Sequence, residues 1–347
     1  MVMMLRGTAI ARQPVAERGD VGWARRQIVE LAKRHAFSDS TVSRIEITVQ
    51  EAARNIIKHA GRGMIVAQTI ASEDDTQLDV LAIDNGPGMV DVERCLQDGY
   101  SSAGSMGTGL GALKRLCDHF AIFSQPQQGS IFLMRFLGRK PKQPAKPREL
   151  PEAVAGLLVP HPNEQVSGDG WSLQRMPDFT LAFLADGLGH GPDAARAVLA
   201  AQDCFQHMSQ QDPRQPLPQM IDQMHHELRR TRGAAVALAR INRGQRDVEF
   251  SSLGNVQGLI VDRSTSKHLL TSNGIVGVEK SRATAMSYGL NPNQAFIMAT
   301  DGLQSRWQLP ASHDFWHQDP MIVAAYLFKQ FGRGRDDVGV LVFPPLA

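Results

Sequence analysis

Residues 139 to 150, RKPKQPAKPREL, hold three prolines and five basic residues and almost nothing a core could use. Proline at that density favours an extended, semi-rigid connection. The chain must therefore close one folded unit before this stretch and another after it. The expected division is a first domain over 1–138, a linker over 139–150 and a second domain over 151–347. A length of 347 residues at 42% hydrophobic content suits two such cores. No repeat period runs across the two halves, so they are expected to be different folds.

Charge and cysteine usage remove several classes of function. Lys and Arg total 37 against 35 Asp and Glu, a balance without long-range pull toward nucleic acid or an anionic membrane. A small ligand or a protein partner is what remains. Cys95, Cys117 and Cys204 lie far apart, in no CxxC or HxxxH setting, which suggests neither a zinc site nor a disulfide framework. No stretch approaches the roughly 18 apolar residues of a membrane-spanning helix, and the first twenty residues carry only a short apolar run. A soluble, cytoplasmic protein is expected, with its oligomeric state left open.

In the first half, VGWARRQIVELAKRHAF and SDSTVSRIEITVQEAARNIIKHA read as helices, the second with Ser and Asp available as caps. MIVAQTIA, QLDVLAID, AIFSQ and SIFLMRFL read as strands and LGALKRLCDHF as a further helix. That pattern predicts helices layered on a mixed or antiparallel sheet. Three features carry chemistry. Glu51, Asn55 and His59 recur at steps of four, a polar stripe beside an apolar one containing Ile45, Val49, Ala52 and Ile56; by itself it is equally a solvated face. Asp84 closes a strand in LAIDNGPGM, followed by Gly86 and Gly88, where a carboxylate could accept from an amine such as that of adenine, or simply form a turn. Gly104, Gly107, Gly109 and Gly111 run straight into a helix, so their amides could cradle phosphates; a mobile loop has the same composition. The segment GTGLGA also fits a loose dinucleotide fingerprint, but it follows a polar stretch rather than a strand, with no acid about 20 residues on. A GxxxxGK[ST] phosphate loop is absent from the sequence.

In this order, stripe, strand-end acid and Gly-rich segment resemble the GHKL family of ATP-binding domains over nearly the whole first domain. The resemblance implies a GHKL (Bergerat) α/β sandwich that binds ATP with Mg. It implies that Asn55 ligates the Mg ion, that Glu51 orients or deprotonates the attacking hydroxyl, and that Asp84 binds the adenine amine. Gly86 and Gly88 would line the base pocket, and Gly107, Thr108, Gly109 and Gly111 would form the phosphate lid. His59 receives no firm role. AARNIIKHAGRG and DNGPGMVDVERCLQDGYSSAGSMGTGLGALKRL look like the compact anti-sigma-factor serine kinases, of the RsbT-like branch found in stressosomes. Their implied partner is a small STAS-domain protein phosphorylated on Ser or Thr.

In the second half, AGLLVPHP, DGWSLQRM, FTLAFLAD, AAVALARIN, DVEFSSLG and QGLIVDR read as strands, with helices at about 192–209 and 216–230. Acids recur where strand-like runs end: Asp169, Asp186, Asp301, and the pair Asp336 and Asp337. If they meet at one rim they make an oxygen-rich site suited to Mg or Mn rather than zinc, and two such ions about 4 Å apart can activate a water and clamp a phosphate. Any single Asp-Gly pair is more simply a turn. The ordered set, with SLGNVQGLI, SNGIVG and ATDGLQSRW, resembles the PPM (type 2C) serine/threonine phosphatases over residues 151 to 345, in their SpoIIE-like, RsbX-like branch. An αββα sandwich with two Mn or Mg ions is implied: Asp186 bridging both, Gly187 offering its carbonyl, and Asp169, Asp301 and Asp336 or Asp337 completing the set. Eukaryotic members carry a histidine two residues after the bridging aspartate. Here that position is Leu188, and His190 is either a proton donor or a helix cap. The whole chain is thus expected to be an α+β, two-domain protein that phosphorylates and dephosphorylates a STAS-domain regulator. The alternatives are a phosphatase whose ATP-binding domain only docks the partner, or a non-enzymatic scaffold.

Overall fold

Ile45, Val49, Ala52 and Ile56 are all fully buried, and that one apolar stripe orients the helical layer of the first unit. In the computed structural model, which describes residues 3–72, 75–96, 109–138, 154–279, 281–307, 309–310 and 313–345, the chain divides into Thr8–Pro147 and a second unit of Met1–Gly7 with Arg148–Ala347. The first unit runs from the later part of β1 (Met3–Val15), whose first residues belong to the second unit, through α1 (Arg18–Arg34), α2 (Asp39–Asn55), β2 (Gly63–Ala71), β3 (Thr76–Asp84), α3 (Val92–Cys95), α4 (Gly109–Leu116), β4 (His119–Gln125) and β5 (Gly129–Leu137). Its strands lie in the order β1-β2-β3-β5-β4. Ser38 caps α2 by accepting from the Thr41 amide at 3.2 Å. The core joins Ile28 and Leu31 of α1, Ile45 and Val49 of α2, and Val80 and Phe136 of the sheet. A buried Arg135–Asp79 pair at 2.7 Å ties β5 to β3.

Two local expectations change. The helix expected over LGALKRLCDHF stops at Leu116, because Arg44 bonds both the Leu116 carbonyl and the Asp118 carboxylate at 3.0 Å and the aromatic run from His119 enters the sheet. The stripe helix changes pitch after Asn55, where Ile56–Ala60 form a π-helical turn. Such turns shift the register of the side chains that follow and recur at functional sites.

The second unit runs β6 (Ala155–Val159), β7 (Asp169–Arg175), β8 (Phe179–Gly187), α5 (Pro192–Gln211), α6 (Leu217–Glu227), β9 (Ala234–Asn242), β10 (Asp247–Leu253), β11 (Gln257–Val261), β12 (Ser266–His268), β13 (Ala285–Gly289), β14 (Ala295–Ala299), α7 (His313–Trp316), α8 (Pro320–Phe331) and β15 (Val338–Phe343). One antiparallel sheet has the order β13-β10-β9-β8-β7 and the other β12-β11-β14-β15-β6. Helices α5 and α6 cover the first sheet through Phe205, Met220 and Ile221 against Phe183 and Leu238, and α8 lies against β15 and β6 of the second. The result is an αββα sandwich whose inner apolar strands, such as β8, β14 and β15, are buried on both faces.

Met3–Arg6 extend the first of these sheets by pairing with Ser172–Arg175 of β7, so the first residues of the chain pack with the second unit. The local reason is Trp171, buried against the backbones of Gly7 and Gly156: a Cβ at either glycine would lie 2.6 Å or less from the indole.

Candidate active sites

Strand pairing builds the acidic rim. Asp169 opens β7 and Asp186 stands near the end of β8, and the two are register partners. Asp301 follows β14, and Asp336 with Asp337 precede β15, whose partner is β14. Thr300 links the sheets: its hydroxyl donates to Asp169 at 2.7 Å and accepts from the Gly339 amide at 2.8 Å. Asn255 donates to Asp301 at 2.8 Å. The hydroxyl and the amide are supporting residues whose isolated positions carried no sequence signal.

These acids repel one another. Burial, then Asp186 and Asp337, push the Asp169 carboxyl well above the usual range. Burial, then Asp301 and Asp336, push Asp186 up to about 8. Asp337 is raised by burial; its Oδ1 accepts from the His161 amide at 2.9 Å, while Oδ2 is buried with no hydrogen-bond partner. Among the described residues no three acid, His or Cys side chains already converge on one point. An orphaned buried oxygen inside an all-oxygen, mutually repelling set nevertheless fits a hard divalent cation, which would draw the carboxylates inward. Gly187 sits so close to α5 that a Cβ would lie 2.5 Å from the Ala194 carbonyl.

A pH dependence follows. Below the usual carboxylate range both folded and unfolded chains hold the Asp186 proton; between that range and about 8 only the folded chain does. Metal-free stability should therefore fall as pH rises through this window. Thermal unfolding should show Mn raising the Tm more near about pH 8.5 than near about pH 5.5, where protons compete for the same oxygens. An equal shift at both values would count against the rim as the binding site.

In the first unit, Asn55 ends α2 with Glu51 one turn before it, both half-buried. His59 follows in the π turn; partial burial and Lys58 lower its pKa, while Asp84 and Glu51 pull it the other way, so stripe and strand-end acid share one electrostatic neighbourhood. Asp84 is buried, and its Oδ1 accepts from the amides of Gly86 at 2.8 Å and Ser130 at 3.2 Å. Gly88 has φ +67°, and a Cβ there would lie 2.0 Å from the Gln125 carbonyl; no other residue fits. Gly109 and Gly111 lie in the first turn of α4. Gly107 and Thr108 lie outside the described residues. Beside the stripe, a groove of about 740 Å³ is lined by Arg18, Arg25, Arg54 and Lys58, with Gln50 and Ile57 between them.

The family profile described as histidine kinase-like ATPase domain matches residues 15–136, and that of stage II sporulation protein E (SpoIIE) matches residues 177–326. Serine/threonine-protein kinase RsbT of Bacillus subtilis is 35% identical over 111 residues, 32% of this chain and 84% of that protein. Phosphoserine phosphatase RsbX of the same organism is 24% identical over 141 residues, 40% of this chain and 69% of that protein. The anti-sigma F factor of Pasteuria penetrans is 33% identical over 97 residues, 26% of this chain and 64% of that protein. The chain belongs to the histidine kinase-like ATPase family through its first unit and joins to it a SpoIIE-type PPM phosphatase domain, making it a partner-switching regulator that fuses a kinase-like and a phosphatase half.

Proposed function

We propose that this chain adds a phosphoryl group to a Ser or Thr of a STAS-domain protein with its first unit and removes one from that protein, or a related one, with its second. What carries the reading is the presence of both chemical sets on one chain: Glu51 and Asn55 one turn apart beside Asp84, and the five-carboxylate rim. Similarity to a named serine/threonine kinase and a named phosphoserine phosphatase supports it. Tethering raises the effective concentration of each site near a partner held by the other.

In the first unit, Asp84 with Gly86 and Gly88 would hold the adenine, Gly107, Thr108, Gly109 and Gly111 the phosphates, and Asn55 the Mg ion. Glu51 would aim the partner's hydroxyl at the γ-phosphorus and take its proton as the new P–O bond forms and ADP leaves; the demand is alignment and neutralisation of charge. In the second unit, Asp169, Asp186, the Gly187 carbonyl, Asp301 and Asp336 or Asp337 would hold two Mn or Mg ions. Such ions neutralise phosphate charge and activate a water.

The test is a matched pair of assays on the full chain with the STAS-domain protein encoded nearest to it: incorporation from labelled ATP with Mg, then release with Mn. Incorporation and release by the same preparation is the expected result; failure of both returns the chain to a scaffold. A second reading, in which the first unit only docks the partner, draws on the basic groove beside the stripe, a surface suited to an acidic protein face. Glu51→Gln separates the two. Under the kinase reading phosphotransfer falls about 100-fold or more while partner binding is retained, and unchanged phosphotransfer would remove Glu51 as the base.

A further inference from the structure

Leu188 stands two residues after Asp186 and is 49% exposed. The chain then turns away: Gly189 and Gly191 have φ +85° and +77°, and His190, which does not cap α5, is drawn aside by Glu164, 2.7 Å from its Nδ1, with its ring flat on that of His161. The Leu188 amide donates to the Gly233 carbonyl at 3.1 Å, one step past Gly187 and Ala234, the last register pair of β8 and β9. Leu188 and Gly233 are therefore cross-strand partners, whose side-chain positions share one face. Alternate residues of a strand share a face as well, so this is the face that carries Asp186.

Gly233 leaves a gap on that face. Its φ is +83°, and a Cβ there would lie 2.7 Å from the Val276 carbonyl, 2.8 Å from Val278 Cγ2 and 3.0 Å from Ile275 Cγ2. Val276 pairs with Ala234 on the edge of β9 away from β8. The gap is thus a notch: Gly233 is its floor, Leu188 one wall at about 5 Å by cross-strand geometry, and Val278 with Ile275 the other. The second wall is held firmly. Ala234 and Val276 exchange backbone hydrogen bonds at 3.1 and 2.9 Å, the Val278 amide donates to the Ile275 carbonyl at 3.1 Å, and the Gly277 amide donates to His225 Nδ1 at 3.1 Å. Val278 is nevertheless 56% exposed. Branched aliphatics fixed in water beside a polar site mark a place for a ligand. The charges at the margin are of both signs, Arg232, paired with Asp193 at 2.8 Å, and Glu279 in the turn of Val278, so selection in the notch falls to apolar contact.

We propose that this notch is a specificity subsite of the second unit, which takes an aliphatic side chain lying one or two residues from the phosphoserine of the substrate protein. The inference rests on the phosphatase reading of that unit and names its substrate class. Spacing sets the position of the guest: Leu188 lies about 6.6 Å along the strand from Asp186, the span of about two residues of extended peptide.

The full chain with Mn is assayed on phosphoserine peptides that carry Leu or Ser at each of the two positions on either side of the phosphoserine, as wild type, Leu188→Ser, Val278→Ser and Leu188→Met. The readout is the ratio of kcat/KM between a Leu peptide and its Ser counterpart. Taken within one preparation, that ratio does not depend on how much of the protein is folded. Wild type should favour Leu about 10-fold at one or more of the positions, mainly through KM; this is the low end for apolar contact because a surface notch encloses its guest only in part. Leu188→Ser and Val278→Ser should each bring the ratio close to unity, and Leu188→Met, of similar volume, should keep most of it. A wild-type ratio near unity at every position, or an undiminished ratio in both serine variants, would overturn the subsite while leaving the phosphatase reading in place. A wild-type chain inert toward every peptide would overturn both.

Discussion

Asp186→Asn should abolish release of phosphate from the phosphorylated partner, by about 10³-fold or more, and should leave the metal-free protein at least as stable as wild type. The first expectation comes from its place at the centre of the rim, with Asp169 as its strand partner and Asp301 and Asp336 among its neighbours. Losing the proposed bridging ligand forfeits several kcal/mol of charge stabilisation, and each ~1.4 kcal/mol is tenfold in rate. The second comes from the same repulsion. A carboxyl pushed up to about 8 opposes folding wherever it must ionise, and the neutral amide removes that term. Radiolabel release gives the rate and thermal unfolding without metal gives the stability. Lost activity with a lower metal-free Tm would mean that Asp186 is a packing residue.

Asn55→Ala should stop incorporation of label from ATP by about 10³-fold while release from an already phosphorylated partner continues. Asn55 is the last residue of α2 before the π turn, one turn after Glu51, and the charges of Glu51 and Asp84 both act on His59 in that turn. Alanine has the higher helix propensity, and the buried stripe on the other face of the helix is untouched, so the Tm should hold. Nucleotide affinity measured by calorimetry with Mg should fall together with incorporation. Full incorporation by Asn55→Ala would remove it from the nucleotide site. The pair of variants is also a control on mutual dependence: each should silence one direction and spare the other.

The difficulty for a chain with both activities is that cellular ATP would let them run together. The two sites draw on separate residue sets, so the balance should respond to metal and nucleotide independently. Mn titration should change release without changing incorporation at saturating ATP and Mg.

Much of the local structure was legible in the sequence because it depends on short-range periodicity. The four-residue step that buries Ile45, Val49 and Ile56 also lines up Glu51 with Asn55. Where local pattern competed with tertiary contacts, the contacts won. The expected helix past Leu116 ends because Arg44, more than 70 residues earlier in the chain, holds Asp118. The strand-end acids could be read as a recurring type, but their meeting at one rim depends on antiparallel pairing of β7 with β8 and of β14 with β15. Thr300 bridging to Asp169, Asn255 on Asp301, and Glu164 on His190 had no sequence signal, since each contact joins segments 26 to 131 residues apart.

The sequence alone determined which residue types could do chemistry and on which elements they ride, since helix and strand periods are set by backbone geometry. Only the tertiary structure decided which of them share an electrostatic neighbourhood. Burial and mutual charge raise Asp186, a stacked ring and a carboxylate hold the His190 ring, and the start of the chain packs against Trp171 because glycine leaves room there, three outcomes that depend on through-space distance and not on order along the chain.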